Sequence, residues 1–414
     1  MAYINRILLK HHSLENIALV IMKDKINIMY FIPSLVNSGG MERVLTEKVN
    51  YLSRKNKYNI FIVTTDMYEK QKPFFNLNNE IKLICLNYFY HRKISENFLK
   101  KSIRTLKLNK IYKDEIQSLV KKYSIDICIS MGGKELEFLG NIKLDCVLIY
   151  ESHFNKNFRS SFLFANGKNN FLWQIVGKLR DTQHSYQAKK MNKIIVLTEK
   201  NLSDWKKITE NVEIISNPSP LKKQENELPN LQSKRAIAIG KLDAQKGFDM
   251  LIPAWKKVYE SFPDWKLDIF GVGEMEENLK KIIKSNQLSM TIKLVGQTKN
   301  IKDELLNSSF FVLSSRFEGL PMVLIESITC GLPIVAFDCE TGPREIIKNN
   351  DCGILVENGN INELANAIKK IIADEELRKK LSINAIEKSK KYEISNIMSK
   401  WEKLFDEEII KRNS

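Results

Sequence analysis

Two glutamates and two lysines are the residues of this chain whose types and spacing could do chemistry. Glu318 and Glu326 stand eight positions apart in SSRFEGLPMVLIESITCGLPIVAFD, which runs from Ser314 to Asp338. The first lies in a glycine-bounded turn and the second inside an otherwise apolar stretch. A carboxylate in such surroundings needs hydroxyl or amide donors. Adjacent ribose hydroxyls suit one carboxylate, which accepts two hydrogen bonds, and the hydroxyls of another sugar suit the other. Lys241 and Lys246 bracket the polar loop of AIGKLDAQKGFDMLIPAW, between a strand ending at Gly240 and a helix opened by Gly247. A loop of this kind offers free N–H groups and the positive end of a helix dipole to an anion. Two lysines there make a diphosphate the natural guest. Plain structural readings stand beside these: solvated loop lysines, a glutamate favourable to a helix dipole, and a paired structural glutamate.

Three further groups are weaker alone. Gly271 and Gly273 form a bare GxG in IFGVGEMEENL that does not complete GxGxxG, so a nicotinamide fingerprint is not present. Gly39–Gly40 precedes a helical stretch in FIPSLVNSGGMERVLTEKV, where paired glycines let backbone approach a ligand or simply make a flexible turn. His153 follows a strand in LIYESHFNKNFR; at a strand end it could hydrogen-bond a sugar hydroxyl or a developing charge, and an idle loop histidine fits equally well. No DxD triplet occurs. The six cysteines (85, 128, 146, 330, 339, 352) include no CxxC pair, which reads as reduced, buried thiols rather than a disulfide framework or a zinc site.

The elements that must position these residues are short β-branched runs alternating with helix-period segments. The expected strands are Ile26–Ile32, Tyr58–Thr64, Ile125–Ser130, Asp145–Tyr150 and Lys193–Thr198, then Arg235–Gly240, Lys266–Gly271, Ile292–Gly296, Ser309–Ser315, Pro333–Phe337 and Gly353–Val356. Continuous apolar strands separated by helices argue for buried parallel sheet covered on both faces. This is a doubly wound, Rossmann-like α/β architecture used twice, with a cleft at the carboxyl ends of the strands. Length agrees, since 414 residues exceed one ordinary core. A proline-bearing polar stretch, Ser216–Lys234, separates the halves. The division expected is an unpacked extension over 1–24, a first domain over 25–217, a second over 218–390, and a helix over 391–414.

Composition narrows the partners. With 43% hydrophobic and 28% charged residues the chain is globular, and no apolar run approaches the roughly 18–20 residues that span a bilayer. Leu14–Met22 is a poor signal peptide, being short, carrying Glu15 and lacking a small-residue cleavage site. The formal charge of +16 favours anionic partners such as nucleic acid, acidic lipid or phosphorylated small molecules, although a Lys-, Asn- and Ile-rich composition produces it without any partner.

Taken together, Gly39–Gly40, GKLDAQKGFD, FGVGE, SRFEGLPMVLIESITCGLPIVAFDCETGPREII and DCGILVENG resemble the family-4 retaining glycosyltransferases of the GT-B fold, in particular bacterial members that build capsule, O-antigen or other surface glycans. The resemblance covers nearly the whole chain from residue 26 and is densest between Lys234 and Asn360. It implies that Glu326 holds the donor ribose, and that Glu318 contacts the transferred sugar with the Gly319 and Leu320 N–H groups. It gives Lys246 the diphosphate, together with the loops at Gly240, Gly271 and Gly273, and brings Val295–Gly296 near the nucleobase. Lys241 stands where the family commonly has arginine, so a point charge replaces a bidentate grip. His153 takes the place of a first-domain histidine at the sugar, and Gly39–Gly40 sits against the diphosphate or acceptor. The last helix would cross back onto the first domain, carrying Tyr392 and Trp401.

The expected partners are a UDP- or GDP-sugar donor, with UDP favoured, a lipid-linked or oligosaccharide acceptor, and an anionic membrane surface; no cofactor, metal or nucleic acid is expected. Membrane contact is read from two basic-aromatic segments, Glu96–Lys113 and His153–Trp173, for which an amphipathic helix and a self-packed insertion are the plain alternatives. The expected location is cytoplasmic, with peripheral attachment to the inner membrane face. A GT-B nucleotide-sugar epimerase or hydrolase and a non-catalytic basic binding protein are the competing readings.

Overall fold

The computed structural model describes residues 25–90, 98–165, 170–222 and 227–414. The expected extension over 1–24 lies outside the described residues. The first sheet comprises β1 (Ile26–Ile32), β2 (Tyr58–Thr64), β3 (Lys82–Cys85), β4 (Ile127–Ser130), β5 (Val147–Ser152), β6 (Lys193–Val196) and β7 (Val212–Ile214), in the order β3-β2-β1-β4-β5-β6-β7. The second comprises β8 (Arg235–Ile239), β9 (Lys266–Phe270), β10 (Ile292–Gly296), β11 (Phe310–Leu313), β12 (Ile334–Asp338) and β13 (Gly353–Glu357), ordered β10-β9-β8-β11-β12-β13. Every pairing in both sheets is parallel. Strand order reverses between β1 and β4 and between β8 and β11, and at such switch points the flanking loops diverge and leave a crevice.

Helices cover both faces of each sheet, which is why the strands read as unbroken apolar runs. In β1, Ile28, Tyr30 and Ile32 pack on one side with Leu45, Val49 and Trp401, while Met29 and Phe31 pack on the other with Tyr112, Ile116 and Trp205. The expected strands are present with ends shifted by a residue or two. β3 and β7 were not anticipated: they are short sheet-edge strands carrying Lys82 and Glu213, so their apolar pattern is weak.

The C-terminal helix, Ile394–Asn413, crosses back onto the first domain and buries Ile397, Met398, Trp401, Leu404 and Phe405 in its core. Each such side chain contributes about 1.5–3 kcal/mol of transfer free energy. Tyr392 departs from expectation. It packs in the second domain among Ile325, Ile328 and Ala385, because the chain turns away from that domain only after it. All six cysteines are free, five of them buried. Among the described residues no helix is long and apolar enough to cross a membrane.

Candidate active site

The loops after β8 and β11 bring the first lysine–carboxylate pair together. Asp243 accepts from the backbone N–H groups of Gln245 and Lys246 and so nucleates the single turn Ala244–Lys246. Gly247 ends that turn at φ 64°, where any side chain would lie 2.0 Å from the Ser314 carbonyl; only glycine serves there. The β11 loop is sewn to the same turn. Arg316 grips Asp249 through its Nη1 and Nη2 nitrogens, at 2.9 and 2.7 Å, and donates to the Ala244 carbonyl. Ser314 Oγ donates to the Lys246 carbonyl. Held this way, Lys246 Nζ donates to Glu318 Oε1 at 2.6 Å, and Ser315 Oγ donates to the same oxygen at 2.7 Å. Glu318 is buried, and its backbone carbonyl accepts from Thr341 of the β12 loop.

The glycines of the second domain serve first to let loops touch each other. At Gly271, φ 142°, a Cβ would come within 1.8 Å of the Gly240 carbonyl, and at Gly273 within 2.3 Å of the Leu242 carbonyl. Gly240 N donates to Phe270, Leu242 N to Val272, and Gly271 N to Gly296. The loops after β8, β9 and β10 therefore form one backbone-to-backbone layer. At Gly296 a Cβ would meet open space, so no neighbour requires glycine there. Lys241 projects from the layer with its side chain 69% exposed, its nearest carboxylate Asp243 at 3.8 Å, and is free to reach an anion.

Glu326 lies on the helix Met322–Thr329, for which Pro321 is the N-cap residue. It is buried, and its carboxylate accepts from Arg43 Nη1 of the first domain at 2.8 Å. Burial raises its pKa, and Arg43 only partly opposes the shift. Arg43 belongs to the helix Gly40–Ser53, which begins at the paired glycines. A Cβ on Gly40 would stand 3.5 Å from Met322, so that turn faces the helix bearing Glu326. His153 follows β5 and is buried; its carbonyl would lie 2.3 Å from a Cβ on Gly319. The Glu318–Gly319–Leu320 turn thus closes on the first domain at His153, and Glu326 closes on it at Arg43. Lys246, through Glu318, and Glu326 both face the opposing domain. A cavity of about 940 Å³ runs between Thr198–Lys200 of the first domain and, in the second, the segment after β12 and the end of β13; Thr341, which donates to the Glu318 carbonyl, lines it, whereas Lys246, Glu318 and Glu326 do not.

Sequence reasoning missed Arg43, Ser315, Arg316 and Thr341. Arg43 had a signal, since it falls within one turn of Gly39–Gly40 on the face that a cleft ligand would meet. Arg316 and Thr341 support residues 67 and 23 positions away, and Ser315, three positions from Glu318, stands beside another serine with nothing local to mark it. Arg43–Glu326 and Lys246–Glu318 together place two cations and two carboxylates in one interdomain cleft, beside loop amides. Such a set has the chemistry to bind a polyanion through its cations and neutral polyols through its carboxylates.

Two Rossmann-like domains facing one another, with a helix returning from the second to the first, define the GT-B architecture of sugar-transferring enzymes. Residues 221–388 match the family model described as Glycosyl transferases group 1. The chain is similar to the amylovoran biosynthesis glycosyltransferase AmsD of Erwinia amylovora, 31% identical over 393 residues, covering 90% of this chain and 98% of that protein. It is also similar to the Campylobacter jejuni GalNAc-alpha-(1->4)-GalNAc-alpha-(1->3)-diNAcBac-PP-undecaprenol alpha-1,4-N-acetyl-D-galactosaminyltransferase, 26% identical over 384 residues, with 91% and 98% coverage. In fold it resembles S. aureus TarM, solved with fondaparinux, alpha-GlcNAc-glycerol and UDP, at a TM-score of 0.73 and 18% identity, over 92% of this chain and 99% of that one. The chain belongs to the group 1 glycosyltransferases and is a glycosyltransferase.

Proposed function

We propose that this enzyme moves a hexosyl or N-acetylhexosaminyl unit, with retention at the anomeric carbon, from a UDP-sugar to a sugar hydroxyl of a lipid-linked glycan during assembly of a bacterial surface polysaccharide such as capsule or O-antigen. The observation that carries the reading is the Lys246–Glu318 pair in the interdomain cleft, 2.6 Å apart on loops locked by Arg316. Lys246 and Lys241 meet the diphosphate, Glu326 exchanges Arg43 for the ribose hydroxyls, and Glu318 takes a hydroxyl of the transferred sugar. Gly319 and Leu320 offer it their N–H groups, and His153 faces it from the first domain. The acceptor lies on the Gly39–Gly40 side. The relatives support acceptor and pathway: AmsD is named for amylovoran biosynthesis and the Campylobacter enzyme for an undecaprenol-linked glycan. UDP in the TarM crystal supports the donor class.

In the reaction the bond from the anomeric carbon to the phosphate oxygen breaks, and the acceptor oxygen bonds to that carbon on the same face. The acceptor proton passes to the departing phosphate oxygen, leaving a glycoside and a nucleoside diphosphate. Lysine ammonium groups and loop amides stabilise the charge that grows on the leaving group. They supply what a divalent cation supplies in other sites, so the expected outcome is turnover that survives EDTA. We favour transfer within an ion pair over a covalent route through Glu318, because the role given to Glu318 is to bind a hydroxyl of the transferred sugar. The first test is a thermal-shift screen over UDP- and GDP-sugars, since bound donor stabilises by mass action. Stabilisation by UDP-sugars, then an α-linked product from an α-linked donor, supports the reading; stabilisation by none of them, or an inverted product, refutes it.

The first domain offers the membrane contact. The helix Phe98–Lys122 exposes Ile103 and Leu106 beside Lys100 and Lys107, and the helix Phe171–Ala188 exposes Phe171, Leu172 and Leu179. Apolar and basic residues on one side suit an anionic leaflet, and attachment to the inner face of the cell membrane from the cytoplasm follows. Salt-sensitive flotation with phosphatidylglycerol vesicles is the expected result; equal flotation with neutral vesicles or none refutes the contact.

A further inference from the structure

Beneath His153 lies a buried charge pair to which the reaction above assigns no role. Lys48, on the helix Gly40–Ser53, is fully buried, and its ammonium stands 2.6 Å from Glu151 Oε2. The same ammonium lies 3.7 Å from the centre of the Trp401 ring on the crossover helix. Glu151, on β5, is 1% exposed, and its other oxygen, Oε1, is 3.3 Å from His153 Nε2. That nitrogen is buried and makes no hydrogen bond of good geometry, so Glu151 meets it as a near charge contact. The His153 carbonyl in turn meets Gly319. Contacts therefore run unbroken from the crossover helix through Lys48, Glu151 and His153 to the turn that holds Glu318.

Stability alone does not account for this arrangement. Removing two charges from water is expensive, and well-packed apolar residues of similar volume commonly do as well or better. Burial pushes the Glu151 carboxyl up, yet Lys48 and His153 together hold it down at about 2, so it faces the imidazole as a fixed anion. An acceptor fixed beside one ring nitrogen selects the tautomer that carries its proton there and sets the ring plane. Trp401 closes the far side of Lys48, which leaves the ammonium no other carboxylate within the contacts it makes.

We propose that Lys48 and Glu151 are positioning residues for sugar transfer: the carboxylate of Glu151, clamped by Lys48 under Trp401, holds the His153 ring in its Nε2–H tautomer, on the residue whose backbone carbonyl meets the Glu318–Gly319 turn. The proposal rests on the place given to His153 at the transferred sugar, and its test has one arm that does not.

In that arm the full chain is labelled with 15N-histidine and long-range 1H–15N spectra are recorded. The chain has five histidines, and the His153 signals are those lost in His153→Gln. A single Nε2–H tautomer is expected in the wild type, giving way to mixed tautomers in Lys48→Met/Glu151→Leu, where both charges leave together. An Nδ1–H tautomer in the wild type, or unchanged His153 signals in the double variant, overturns the proposal. Should the double variant not fold, Glu151→Gln serves the same measurement, since its amide presents either oxygen or NH2 to the ring and loses the single tautomer. The second arm uses whichever UDP-sugar the wild type turns over. The double variant should lose at least about tenfold in kcat while its Kd for UDP stays unchanged, and adding His153→Gln should cost nothing more. Wild-type kcat in the double variant, or losses that multiply with His153→Gln, would show a merely structural pair. A wild type that turns over no UDP-sugar defeats the sugar-transfer reading while the tautomer arm still decides this one.

Discussion

Replacing Arg43 by methionine isolates the contact that joins the domains at Glu326. The structure leaves Glu326 buried with Arg43 at 2.8 Å as its charged partner, the arginine side chain being 25% exposed. Breaking a buried pair from one side costs about 3–5 kcal/mol. A second limit comes from protonation: an ordinary glutamate, of pKa about 4.3, takes up a proton at pH 7 for about 3–4 kcal/mol. Because Arg43 is partly in water and screened, about 2 kcal/mol is expected at pH 7. For a cooperative unit of 150–250 residues that lowers Tm by about 4–8 °C. The pH dependence gives the sharper check. Glu326 already sits above its ordinary 4.5, burial outweighing Arg43. Between the unfolded value and the raised folded one, the native state therefore holds a proton that the unfolded chain has released. Stability from this site is complete below the unfolded value and is lost as pH rises through the folded one. Removing Arg43 raises the folded value further, so the loss above pH 4.5 is larger, and variant and wild type converge as pH falls toward that value. Thermal unfolding of both proteins from pH 5 to 8 measures this. An equal deficit across the range, or none, would refute the pairing of Arg43 with Glu326 in solution.

Lys246→Met should cut turnover by about 10²–10³, the usual loss for one stabilising group at a developing anion, and Lys246→Arg should recover part of it; steady-state nucleotide release reads both. Glu318→Gln keeps the shape that Ser315 and Lys246 surround, so the fold should survive while turnover falls strongly; mass spectrometry should find no glycosyl-enzyme, and a stable adduct on wild-type Glu318 would overturn front-face transfer. Gly271→Ala must displace the Gly240 carbonyl, 1.8 Å from the new methyl, and should destabilise well beyond about 3 kcal/mol with loss of nucleotide binding. Gly296→Ala meets open space and should cost only the about 1–3 kcal/mol of a left-handed alanine; equal effects in thermal unfolding would discount the loop layer.

Much of the fold was legible along the chain because its causes are local. Ile26–Ile32 or Phe310–Leu313 read as buried parallel strands, since β-branched and aromatic side chains on both faces leave no room for polar alternation. β3 and β7 did not, because an edge strand with one solvated margin tolerates Lys82 and Glu213. The candidate loops were placed at strand ends for the same local reason. Their internal logic was not visible: nothing along the chain marks that Gly271 and Gly273 lie against the Gly240 and Leu242 carbonyls of the loop after β8.

By itself the sequence determined the element order, the doubling of the sheet and the residue types offered to a diphosphate and a sugar. These follow from periodicity and from chemistry confined to a few neighbouring residues. Tertiary structure alone decided the partners. Lys246 and Glu318 are 72 positions apart and Arg43 and Glu326 are 283 apart. Lys48 is 103 positions from Glu151, and the crossover helix brings Trp401 onto it from the far end of the chain. Side-chain charges act over a few ångströms of space, and which residues share that space is set by how the two sheets and the returning helix close on one another.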